Sequence, residues 1–240
     1  NAVRATAGRF IRRKPARSRR DGYRFAGWVG PVLRRPYIHR YFLKHGLRPE
    51  NLDGYKFVYF PLHLEPEVAL LALSPEFNNS MEAIAWISKS LPADTILLVK
   101  EQPVSFGIRS RHFYDNLRRI GNVALAHPSV HPWDWIKAAK FTATITGTTG
   151  FEAVNFEKPV LSFGKHQIIN NLPTTRYAHN YETTRQSVDE LLKMDPDDTI
   201  FKKSKRAMYL AQLESSFELP EYSDVYRKAE ATPEMAHIAV

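Results

Sequence analysis

The chain contains no cysteine, which excludes disulfides, thiolate zinc sites and a cysteine nucleophile. No apolar run approaches the roughly 20 residues of a membrane-crossing helix, and no signal-peptide core is present. Internal repeats and low-complexity tracts are also lacking. His127 and His131 straddle Pro128 and Pro132 and so do not share a helical face; no metal site and no cofactor is expected. Acidic residues are scarce in one place only. Residues 1–50 carry 14 of the 34 Lys/Arg but just two acids, Asp21 and Glu50, a balance of +12, whereas the other 190 residues balance at −3. The high pI therefore belongs to the N-terminal segment. What is present is ordinary for a soluble globular protein: 43% apolar and 25% charged residues in a chain of 240, long enough to bury a full core.

Residues 1–20, with eight Lys/Arg, read as a basic arm. Residues 21–48 mix arginines with aromatics and are expected to form short helices or connecting segments broken at Gly30-Pro31 and Arg35-Pro36. From Leu52 onward strand and helix patterns alternate. Strands are expected at 55–60, 95–100, 122–126, 142–145 and 159–163, and helices at 81–91, 111–120, 133–139 and 150–156. Further on, Ser187 and Glu190 fit a capping box opening a helix, and residues 201–217 fit a long amphipathic helix. Strands such as Thr95-Ile96-Leu97-Leu98-Val99 are almost continuously apolar, as strands buried on both faces are. The expected organisation is an arm and connecting segment (1–50), an α/β domain with a parallel sheet covered by helices (51–220) and a tail (221–240).

Ligands of open parallel sheets bind beyond the carboxyl ends of the strands. The residues expected there are polar: His63, Glu65 and Glu67 after the first strand; Lys100, Glu101 and Gln102 after the second; His127, Ser129, Val130 and His131 after the third; Thr146, Gly147, Thr148, Thr149, Gly150 and Glu152 after the fourth. The stretch 143–152 is the most informative. A β-branched strand breaks at two glycines and restarts as a helix, leaving backbone N–H groups that suit a phosphate. The glycines are expected to supply positive φ and close backbone approach. Tight structural turns have the same composition. His63 lies between two leucines and also fits a structural histidine, Glu65 and Glu67 fit a solvated turn, and Glu152 fits plain helix stabilisation.

The order Phe-Pro-Leu-His…Glu-Pro-Glu, Val-Lys-Glu-x-Pro, Pro-Ser-Val, Thr-Gly-Thr-x-Gly-x-Glu-Ala and Lys-Pro-Val-Leu-Ser-Phe-Gly resembles the bacterial capsule polysaccharide biosynthesis family over residues 50–170. That family includes Kdo transferases. The resemblance implies a Rossmann-like sheet similar to the C-terminal, donor-binding half of a GT-B glycosyltransferase. It implies that Lys100, Glu101 and Gln102 lie near the donor phosphate, that Thr146, Gly147, Thr148 and Gly150 cradle that phosphate, that Glu152 accepts from ribose hydroxyls, and that Ser129 and Val130 lie beside the nucleobase. Gln102 stands where the family has histidine. Glutamine hydrogen-bonds a phosphate but carries neither proton nor charge, which leaves altered donor choice or lost activity open. No catalytic residue is assigned.

The expected function is a glycosyltransferase of capsular or surface polysaccharide synthesis. Its expected partners are a CMP-linked Kdo-type or UDP-linked donor and a saccharide or lipid-linked saccharide acceptor. Only about 50 residues precede the first strand, so nucleotide binding without independent transfer is expected. The alternatives are a nucleotide- or anionic-surface-binding module and a sugar-nucleotide epimerase. Residues 1–20 suit an anionic membrane, and the location expected is cytoplasmic, with peripheral attachment to the inner membrane face. Nucleic acid is not an expected partner, since no helix-turn-helix, RRM or zinc pattern is present.

Overall fold

The computed structural model of the chain describes residues 25–65, 70, 74–77 and 79–216. The basic arm, Glu67 and the tail from 221 lie outside the described residues.

Six strands form one sheet: β1 (Lys56–Pro61), β2 (Thr95–Lys100), β3 (Val123–Leu125), β4 (Thr142–Thr144), β5 (Val160–Ser162) and β6 (Thr175–Tyr177). Their spatial order is β3-β2-β1-β4-β5-β6, and every pairing is parallel. The helices with bounds among the described residues are α1 (Phe25–His45), α2 (Ser80–Ser90), α3 (Arg111–Arg119), α4 (Pro132–Ala138), α5 (Thr149–Asn155), α6 (Tyr181–Lys193) and α7 (Ile200–Ser215).

Alternation along the strands builds two cores. Val58, Phe60, Leu97, Val99, Ala143 and Leu161 pack on one face with Ile84 and Ile87 of α2, Tyr114 and Leu117 of α3, and Val188 and Leu191 of α6. Phe57, Tyr59, Leu98 and Val160 pack on the other with Trp135 and Ile136 of α4, Ala153 and Val154 of α5, and Met208 of α7. Successive side chains of a strand point to opposite faces, so a sheet covered twice needs apolar residues at nearly every position. The expected parallel sheet with helices on both faces is borne out.

Three local expectations are corrected. First, the prolines at 31 and 36 do not break the N-terminal segment; α1 runs through both. Each proline removes one ladder donor; the carbonyl that Pro36 frees belongs to Val32, an exposed residue. Burial of Ile38, Tyr41 and Phe42 in the first core holds the helix in place. Gly107 (φ 90°) packs so tightly on α1 that a Cβ there would collide with the Pro31 carbonyl oxygen.

Second, α6 begins at Asn180, not at Ser187. The Asn180 side chain accepts from Thr183 N–H at 2.8 Å while Thr183 Oγ1 accepts from the Asn180 amide at 3.1 Å, a reciprocal cap. Ser187 is buried in mid-helix. Third, β6 adds a sixth strand that hydrophobic pattern does not reveal.

Candidate functional site

The chain builds β1, β2 and β3 in one direction, then crosses back beyond β1 to build β4, β5 and β6 in the other. Loops leaving β1 and β4 therefore diverge, and a crevice opens between them beyond the carboxyl edge. His63, two residues past β1, bridges it. Its Nε2 accepts from the Ile145 amide at 3.2 Å and lies 3.4 Å from Thr144 Oγ1. An amide only donates, so Nε2 is unprotonated and the neutral imidazole carries its proton on Nδ1. Burial pushes His63 down to about 4, Glu65 opposing and Arg109 reinforcing the shift. His63 thus pins the exit of β4 as a neutral group.

The bend at 145–150 is not packed shut. Gly147 N–H goes to Thr144 Oγ1 at 3.1 Å, Gly150 N–H to the Gly147 carbonyl at 3.2 Å and Glu152 N–H to the Thr148 carbonyl at 3.0 Å. Among the described residues, no acceptor engages the amides of Thr148 and Thr149; Thr148 is exposed and Thr149 half-buried. Two details differ from expectation. Gly147 and Gly150 do not adopt positive φ. They are small because a Cβ would lie 2.9 Å from His63 Cε1 at Gly147 and 2.5 Å from Ile169 Cδ1 at Gly150. Their close approach serves internal packing. The Thr146 hydroxyl is shut from solvent without a hydrogen-bond partner, so it does not line the open rim.

Beyond β2 the charges are engaged with one another. Lys100 is buried, and its Nζ donates to the carbonyls of His127 (3.3 Å), Pro128 (3.3 Å) and Val130 (2.9 Å). An ammonium has three donors; all three are spent fastening the loop after β3. Burial pushes this ammonium down to about 8. Glu101 accepts from Arg109 Nη1 at 2.8 Å, the Tyr114 hydroxyl at 2.7 Å and the Gln102 amide at 2.9 Å. Burial raises this carboxyl above its ordinary range, and Arg109 beside it pulls in the opposite sense. The second Arg109 nitrogen, Nη2, donates to the His63 carbonyl and lies 3.5 Å from Glu65. Glu65 is no solvated turn residue: its Oε1 also accepts from the amide (2.8 Å) and the hydroxyl of Ser80, at the start of α2. Gln102 is exposed at the end of β2, before a 3₁₀ turn at Pro103–Ser105.

Beyond β3, His127 Nδ1 lies 2.8 Å from Ser129 Oγ and Nε2 lies 3.4 Å from Arg48 Nη2. Nδ1 also accepts from the Ser129 amide at 3.3 Å. Ser129 is exposed, while Val130 is half-buried against the second core. Two residues into α4, Trp133 is 48% exposed. Its Nε1 donates to Glu152 Oε2 at 3.2 Å. The rings of His131 and Phe156 stand edge-on to the indole at 5.0 and 5.5 Å. The Glu152 carboxylate is also felt by Tyr59 of β1, whose phenol is raised by burial first and by Glu152 second.

Arg109 and Trp133 are central here, and sequence reasoning did not select them. One signal for Arg109 existed: a glutamate closing a buried strand must find a cation or lose its charge. No period announces Trp133, since Trp135 two positions on is buried in the core. Among the described residues, no group of three or more His, Asp or Glu is placed to hold a metal ion. No described helix is long and apolar enough to cross a membrane.

An all-parallel sheet of this order, with a polar crevice at its switch point, defines a Rossmann-like α/β domain. A family profile described as "Capsule polysaccharide biosynthesis protein" matches residues 37–192. The chain belongs to the capsule polysaccharide biosynthesis protein family. No curated protein matches it significantly.

Solved structures of similar fold include UDP-GlcNAc 2-epimerase from Methanocaldococcus jannaschii in complex with UDP-GlcNAc and UDP, at 13% identity and a TM-score of 0.45, covering 78% of this chain and 52% of that one. WaaG, a glycosyltransferase involved in lipopolysaccharide biosynthesis, is similar at 16% identity and TM-score 0.44, covering 71% and 46%. Anabaena Alr3699/HepE in complex with UDP-glucose is similar at 10% identity and TM-score 0.48, covering 73% and 55%. The chain thus spans about half the length of these structures.

Proposed function

We propose that this chain is the donor-binding part of a glycosyltransferase that uses a nucleotide sugar to build a capsular or surface polysaccharide. The observation that carries the proposal is the open bend at the β1/β4 switch point. There, among the described residues, the Thr148 and Thr149 amides have no internal acceptor, and Glu152 stands one helical turn on. Unclaimed amides at such an edge stabilise a leaving phosphate through fixed dipoles, without covalent chemistry. In this reading Glu152 meets the ribose, Ser129 and Val130 border the base, and Gln102 reaches the phosphate from β2. His63, Lys100 and Glu101 hold the loops that present these groups. Residues 1–20 attach the protein to an anionic membrane surface on the cytoplasmic side, where a lipid-linked saccharide acceptor is met.

Calorimetry of the 240-residue chain with CMP, UDP and GDP tests the reading. Saturable binding of one of them, weakened about tenfold by Glu152→Gln, is the expected result. Absence of heat with all three at millimolar concentration removes the proposal. Release of free nucleotide from the sugar donor only when a saccharide acceptor is present favours transfer over epimerisation.

A further inference from the structure

The geometry points to Trp133 as a positioning residue that makes the site selective for ribonucleotides over deoxyribonucleotides. The inference rests on the donor-site reading and adds to it a residue and a discrimination. The indole N–H holds Glu152 Oε2 at 3.2 Å. Among the described residues, no group donates to Glu152 Oε1. A carboxylate with one oxygen fixed and the other open can accept from a ligand hydroxyl without first losing rotational freedom. Two rings stand edge-on against the indole itself, Phe156 from the end of α5 and His131 from the loop before α4. Nearly half of the indole surface stays exposed. A tryptophan needed only for packing would be covered, as Trp135 is. This one spends its only polar atom on the carboxylate beside the open bend.

A ribose hydroxyl that loses its acceptor forfeits a hydrogen bond to a charged group, which makes the discrimination about tenfold or more. The test titrates the chain, Trp133→Phe and Glu152→Gln with whichever of CMP, UDP or GDP binds, and with its 2′-deoxy and 3′-deoxy counterparts. The unaltered chain is expected to bind the ribonucleotide about tenfold more tightly than at least one counterpart. Trp133→Phe, which keeps an aromatic ring but has no N–H, is expected to cut that preference to about threefold or less. Its affinity for the deoxynucleotide should stay within about twofold of the original. Trp133→His, a smaller ring that retains an N–H, should restore part of the preference, and it also serves if the phenylalanine variant folds poorly.

Equal weakening of both nucleotides by Trp133→Phe, or an unaltered chain that does not discriminate, overturns the assignment while leaving the donor site intact. A chain that binds no nucleotide at all overturns both.

Discussion

Two charged regions lie beyond the carboxyl edge of one sheet, and they are built oppositely. On the β1/β2 side, Glu65, Glu101, Arg109 and Tyr114 close on one another, and Lys100 closes on three carbonyls. On the β4/α5 side, among the described residues, Thr148 and Thr149 keep unengaged amides, and the Glu152 carboxylate has one hydrogen-bond partner, an exposed indole. Both lie at the carboxyl ends of strands in one sheet. Burial separates them. A charge removed from water must find its partners inside the protein, so the buried side becomes a frame, and the rim that water reaches is left for a ligand. His63 joins the two, since its carbonyl takes Arg109 and its ring takes the β4 exit.

The comparison breaks most severely if the closed side proves dispensable. Arg109→Met strands Glu101, whose side chain has no exposure. It should lower stability by about 3–5 kcal/mol, read as a shifted urea midpoint. A loss below about 1 kcal/mol would show that the cluster is not a frame.

Next in size is a pH effect on the bridge. An unfolded histidine titrates near 6.5, and His63 in the fold titrates at about 4. Between those values the unfolded chain holds more protons, so stability is full above about 6.5, falls as pH drops toward 4 and then levels. The total is about 3 kcal/mol. His127 is also lowered, by burial first and then by Arg48, and it acts in the same direction. Urea titrations of the chain and of His63→Gln at pH 7 and 4.5 isolate the share of His63. Identical slopes in the two proteins would mean that the bridge is not felt.

Tyr114→Phe removes one donor to Glu101 and keeps the ring in place. A loss of about 2 kcal/mol is expected, with nucleotide affinity unaltered. Weakened nucleotide binding at unchanged stability would put Glu101 in the site and erase the division between the two sides. The smallest effect belongs to the open rim. Gln102 is exposed, so Gln102→His should leave the urea midpoint where it is. The added imidazole should tighten nucleotide binding as pH is lowered through about 6.5. A fall in stability instead would show Gln102 to be part of the frame.

Much of the fold was legible in the residues. Runs such as Thr95–Lys100 announced buried parallel strands, and the strand at 95–100 was read to the residue. Legibility failed where a longer-range contact outvoted a local signal. Pro31 and Pro36 should end a helix, yet the burial of Ile38, Tyr41 and Phe42 outweighs two lost ladder bonds. Ser187 and Glu190 have the spacing of a cap, yet Asn180 and Thr183 make a complete one seven residues earlier. Thr175–Tyr177 is too short and too polar to stand out, and it exists as a strand because β5 offers an open edge.

At the rim, sequence places Glu101, Lys100, Glu152 and the Thr-Gly bend at strand ends and singles out the bend, but it does not separate the engaged groups from the open ones. It also attached the glycines to a ligand, when the neighbours that require them are His63 and Ile169.

The chain by itself determined a doubly covered parallel sheet and the edge at which its polar residues collect, because hydrophobic period and turn chemistry act over a few residues. Tertiary structure alone decided which of those polar residues are taken and which are open. The deciding contacts join Arg109 to a carbonyl 46 positions away and His63 to an amide 82 positions away. No local pattern encodes partners at such distances; only packing brings them within reach, and the low polarity of the interior makes the pairing compulsory.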